Sequence, residues 1–76
     1  MEIIDINEKA GFAPEFMPRI LRVKPEYKVH LICMEPGQEI KPHQSGTGVF
    51  YFVSGKGTMT VEGSEFEVGP GKMVFV

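Results

Sequence analysis

The chain has 76 residues, 42 % of them hydrophobic and 24 % charged, with eight Lys and Arg against ten Asp and Glu for a formal net charge of −2. A chain of this length buries only about 60 % of the surface its unfolded form exposes, so one thin core is expected, helped by a second subunit. Its charge balance supplies none of the field a phosphate backbone requires, which argues against nucleic acid. Its longest uninterrupted apolar run, Val49 to Val53, falls far short of the roughly 20 residues of a membrane span.

In chain order, Ile3 to Ile6 reads as a first strand. Asn7 to Met17 contains Gly11 and Pro14 and reads as a loop with one helical turn. Val, Ile, Phe, Tyr and Thr then cluster in short runs bounded by Gly and Pro, which predicts strands over Arg19 to Val23, Tyr27 to Met34, Glu39 to His43, Val49 to Val53, Gly57 to Val61, Glu65 to Val68 and Met73 to Val76. The separators Ser54-Gly55-Lys56-Gly57, Glu62-Gly63-Ser64 and Gly69-Pro70-Gly71 supply residues that tolerate positive φ or preset the turn, so the strands they join must run antiparallel. The fold class is all-β, a sandwich or barrel. Residues 1–76 form one domain, with 1–18 as an N-terminal arm and 19–76 as the barrel strands.

Val49 to Val53 is apolar at every position, which predicts a strand covered on both faces, whereas Thr58-Met59-Thr60-Val61 alternates and has one wet face. Arg19, Arg22, Lys24 and Lys28 early and Glu62, Glu65 and Glu67 late read as solvated strand faces. Cys33 is the sole cysteine, so no intrachain disulfide can form and a reducing compartment suits the chain. The first residues, Met1-Glu2-Ile3-Ile4-Asp5, lack the basic start and apolar run of a secretory signal, and a cytoplasmic location is expected. Met73-Val74-Phe75-Val76 ends the sequence on an apolar strand whose open edge invites pairing, so either a longer protein is cut here or a second copy covers the edge.

The stretch Pro36-Gly37-Gln38-Glu39-Ile40-Lys41-Pro42-His43, with Gly48 through Gly55 following, resembles the first motif of the cupins, a small antiparallel barrel family. Gly37 to His43 and Gly48 to Gly55 carry the family's spacings. Gly55-Lys56-Gly57-Thr58-Met59-Thr60-Val61-Glu62-Gly63 resembles its hairpin, and Val68-Gly69-Pro70-Gly71-Lys72-Met73-Val74-Phe75-Val76 the start of its second motif. The resemblance covers residues 28 to 76. It implies a cupin-like jelly roll (double-stranded β-helix), incomplete in this chain or finished by a partner.

The family's metal ligands are mostly missing. Ser45 stands where a second histidine belongs, Gly48 stands at the glutamate position after a shortened spacer, and the third histidine of the second motif falls past Val76. His-x-His on a strand places two imidazoles on one face, where they grip one cation; Ser45 keeps the direction and offers only a neutral hydroxyl. His43 alone is a poor cage for Zn²⁺, Fe²⁺, Mn²⁺ or Ni²⁺. His30 and Cys33, three apart on an expected strand, point to opposite faces and do not chelate together.

If parity follows the family, His43, Ser45, Phe50 and Phe52 face the cavity, with His43 as a hydrogen-bonding or acid/base group in a pocket lined by phenylalanines. His30 reads as a packed strand histidine, Cys33 as a small buried hydrophobe, and Tyr51 as a packing residue of opposite parity whose hydroxyl reaches solvent. Glu39 reads as a solvated strand-end carboxylate, and Gly46 and Gly48 around Thr47 as a flexible turn.

The expected function is small-molecule binding without a tightly held metal. The alternatives are a metal-dependent cupin enzyme of dioxygenase or isomerase type, with ligands from outside this chain, and a structural dimerisation module. The expected partners are a second copy, forming a homodimer through exposed strand edges, and a small-molecule ligand.

Overall fold

A carboxylate sets the first element. In the computed structural model, which describes residues 1–42 and 46–76, Asp5 stays extended at φ −88° and ψ 110° and its Oδ1 accepts the Asn7 N–H at 2.9 Å, which starts helix α1 (Ile6–Lys9). This satisfies one of the donors that a helix start leaves unpaired. Ala10 closes the turn by donating to the Ile6 carbonyl at 2.9 Å and then reverts to extended backbone. The strand expected over Ile3 to Ile6 is therefore replaced by a cap and one helical turn. Their β-branched side chains favour extension, but the Asp5 cap prevails.

The chain divides into two compact units, Met1–Pro42 and His43–Val76. In the first, β1 (Arg19–Val23) pairs antiparallel with β2 (Lys28–Leu31). Lys24 and Tyr27 close the turn between them by exchanging bonds of 2.8 and 3.3 Å around Pro25-Glu26. A bulge between Ile20 and Arg22 shifts the register. Two successive residues, Leu21 and Arg22, are consequently both half-buried where strict alternation would separate them. Arg22 forms an ion pair with Glu2, tying the N-terminal arm to β1. Strand β2 stops at Leu31, short of the expected Met34, and Glu39 to Pro42 are not strand. Pro42 has no N–H to give a ladder.

In the second unit, β4 (Gly57–Val61) and β5 (Ser64–Val68) form a hairpin, and β3 (Val49–Tyr51) and β6 (Met73–Phe75) pair antiparallel around it. Glu62 at φ 50° and Gly63 at φ 81° make the two-residue hairpin turn, a type I′ geometry that matches strand twist. Alternation places Met59, Val61, Phe66 and Val68 on the sheltered side, with Thr58, Thr60, Glu65 and Glu67 exposed. Val68, 7 % exposed, is the buried hydrophobic residue among those described. The wet face expected for Thr58 and Thr60 and the solvated glutamates are as the pattern required.

Two turns share one design. Glu35-Pro36-Gly37-Gln38 and Gly69-Pro70-Gly71-Lys72 each close with a bond from the fourth N–H to the first carbonyl, at 3.0 and 3.2 Å, with the glycine at φ 88° and 82°. Proline presets the second position and glycine supplies the positive φ that a type II turn needs at the third. The fold is mostly β, and its three ladders are all antiparallel.

Candidate ligand-contacting face

The β3–β6 ladder is longer than its strand assignments. Gly48 and Val76 exchange both backbone bonds, at 3.1 and 3.0 Å, and Phe52 continues the pairing by donating to Lys72 at 2.9 Å and accepting from Gly71 at 2.8 Å. Gly48 is thus a paired ladder residue and not part of the flexible turn expected around Thr47. A Cβ added at Gly48 would meet the Val76 side chain at 3.9 Å, ordinary contact.

Strand alternation then sorts the run by face. Phe50 and Phe52 are half-buried and share a side with the half-buried Val74 and Val76. Val49, Tyr51 and Val53 are 53, 60 and 54 % exposed, and Met73 and Phe75 beside them 55 and 72 %. The expectation that both faces of Val49 to Val53 are covered does not hold: the chain shelters the phenylalanine side and leaves the other open. Tyr51 has the opposite parity to Phe50 and Phe52, as expected.

His43 and Ser45, the two polar residues expected on the phenylalanine side, lie outside the described residues. The approach to them is defined as far as Pro42. Gln38, which ends the first Pro-Gly turn, accepts the Glu35 N–H on Oε1 at 2.8 Å and donates from Nε2 to the carbonyls of Ala13 at 2.7 Å and Pro14 at 3.3 Å. These partners fix which end of the amide is oxygen. One side chain thereby ties the segment that leads to His43 back onto the arm before β1. Sequence reasoning gave Gln38 no role, and no local signal could have, because its partners lie 24 and 25 residues away.

Other residues fall differently from expectation. His30 on β2 is exposed, not packed, because it pairs with Ile20 on an uncovered face of the ladder. Cys33 is a free, half-buried thiol beyond the end of β2, so strand parity does not relate it to His30. Among the described residues no three His, Cys, Asp or Glu side chains gather as a metal cage. Glu39 is exposed, in keeping with a solvated carboxylate. Among the described residues no helix is long and apolar enough to cross a membrane.

Compared with known protein families, residues 30–76, more than half of the chain, match the cupin domain. No curated protein and no solved structure matches the chain.

Proposed function

The chain belongs to the cupin family, and from that premise we propose that it is a small-molecule-binding domain in which Phe50 and Phe52 form the apolar wall, and His43 and Ser45 the polar fixtures, of a ligand site. The observation that carries this reading is the sorting of the β3–β6 ladder. Two phenylalanines and two valines share its sheltered side, with the exposed Lys72 paired to Phe52 at its end. Such a wall with a few convergent polar groups is the usual make-up of a small-ligand pocket. With an imidazole and a hydroxyl as its polar groups, such a site suits a largely apolar molecule with one hydrogen-bonding group.

The family's metal does not fit the donors present. Gly48 carries no side-chain donor where the family has a carboxylate, and its N–H and C=O are both engaged by Val76. Ser45 contributes a neutral hydroxyl, so among the first motif's donor positions His43 alone offers a good ligand for a divalent cation. The proposed chemistry is therefore recognition.

A thermal-shift screen of a metabolite panel, followed by native mass spectrometry, tests the reading. A ligand whose stabilisation is lost in His43→Ala and in Phe50→Ala supports it. A panel without a stabilising member, or stoichiometric metal in protein purified without chelators, overturns it.

A further inference from the structure

A groove in the first unit lies outside the residues that match the family. It encloses about 380 Å³ and is lined by Glu2, Ile4, Lys9, Arg19, Ile20 and Leu21, a volume at the low end of small-ligand sites. Its lining combines two chemistries. Ile4 and Leu21 are half-buried and Ile20 is 64 % exposed, so aliphatic side chains give it an apolar surface. Lys9, the last residue of α1, and Arg19, the first of β1, add two cations. No carboxylate among the described residues pairs with either, whereas Glu2, the groove's own carboxylate, is engaged by Arg22.

The backbone explains why the cations stay available. Gly11 follows α1 by two residues and is half-buried. A Cβ added there would stand 2.8 Å from the Arg19 Nη2 and 3.6 Å from its Cζ. The first distance is closer than side chains approach, so the bare Cα is what gives the guanidinium its place. The β1 bulge sets Arg22 beside Leu21 among the half-buried residues, where it takes up the Glu2 carboxylate and keeps it from neutralising Lys9 or Arg19.

We propose that this groove binds a small amphipathic monocarboxylate, its head group held by Arg19 and Lys9 and its chain lying on Ile4, Ile20 and Leu21. A guanidinium presents paired N–H donors that match the two oxygens of a carboxylate. Glu2 in the lining disfavours a head group with two negative charges, such as a phosphate monoester. The groove shares no residue with the phenylalanine wall and its polar fixtures.

Titration of the full, isotope-labelled chain with sodium octanoate, followed by NMR shifts, tests this. Saturable shifts at Ile4, Lys9, Ile20 and Leu21 are expected, with a Kd of about a millimolar for a ligand of about ten heavy atoms. Octanol, which has the chain without the charge, and acetate, which has the head without the chain, should each bind at least about tenfold more weakly. Lys9→Gln combined with Arg19→Gln should weaken octanoate at least about tenfold, two exposed ion pairs being lost. Lys28→Gln, which removes an exposed cation of β2 outside the groove, should leave it unchanged. Gly11→Ala keeps every charge but displaces the guanidinium, so weaker octanoate binding with no loss of Tm is expected. Absence of saturable shifts, shifts confined to Phe50 and Phe52, octanol binding as tightly as octanoate, or undiminished binding in the double variant or in Gly11→Ala overturns the proposal.

Discussion

The Nε2 of Gln38 donates to the carbonyl of Ala13 at 2.7 Å, across 25 residues of sequence, while its Oε1 accepts the Glu35 N–H. An amide does this and a carboxylate cannot, since a carboxylate accepts but has nothing to offer two carbonyls. Gln38→Ala is expected to cost about 1–2 kcal/mol, the range for losing a few partly exposed hydrogen bonds. Gln38→Glu should lose as much or more, because it points charge at the Ala13 and Pro14 oxygens. Urea unfolding gives the size, and faster amide exchange at Glu35 in Gln38→Ala, but not in Gln38→Glu, whose carboxylate still accepts that N–H, gives the location.

The Glu62-Gly63 turn has one ill-suited residue. Glu62 sits at φ 50°, a region where an ordinary side chain costs about 1–2 kcal/mol and where Asn is preferred ahead of Gly in type I′ turns. Glu62→Asn is expected to stabilise the chain by about 0.5–1 kcal/mol, raising Tm by about 2–8 °C for a domain of this size. Gly63→Ala should do the reverse by about 1 kcal/mol. Thermal melts of the two variants must move in opposite directions.

Val68 lies opposite Gly57, where an added Cβ would stand 4.0 Å from its Cγ2. It is the one described hydrophobic residue that is buried, so its truncation removes more packing than any neighbour's. Val68→Ala is expected to cost about 1.5–3 kcal/mol, from transfer and residual cavity together. Thr60→Ala, on the exposed side of the same hairpin, should stay within about 0.5 kcal/mol. Equal effects in equilibrium unfolding would contradict this placement of the core.

Restoring the family's ligands gives a test of the metal reading. A Cβ at Gly48 has room, so Gly48→Glu should be tolerated by the ladder. Ser45→His with Gly48→Glu is expected to bind Zn²⁺ or Mn²⁺ at least about tenfold more tightly than either single variant, because three ligands share the cation. The parent chain should bind weakly. Calorimetric titration with the metal chloride measures all four proteins.

Much of the second unit could be read directly. Gly57 to Val61 has the expected bounds, and β5 begins one residue earlier than expected, at Ser64. Both follow from period-two alternation around Glu62-Gly63, a signal contained within a dozen residues. Arg19 to Val23 likewise has its expected limits, and the break in its alternation at Ile20-Leu21 coincides with the bulge, though two adjacent apolar residues also suit a strand covered on both faces. The N-terminus misled for a different reason. Ile3, Ile4 and Ile6 suggest a strand by type, while Asp5 followed by Glu8 has the spacing of a helix start, and the cap prevailed. On the ligand side, the parity of Phe50 and Phe52 was legible from alternation alone. The open state of the opposite face was not, because an all-apolar strand says that two surfaces want covering, not what supplies the second.

Strands β3 and β6 enclose the β4–β5 hairpin, so their pairing joins residues from Gly48 to Val76. Closing a loop of that span by itself costs more chain entropy than closing the two-residue turn of the inner hairpin. Once the hairpin has zipped, the ends that must meet are already near one another. Glu62 and Gly63 therefore lower the entropic cost of assembling the phenylalanine wall, and a substitution that loosens this turn weakens a surface it never touches.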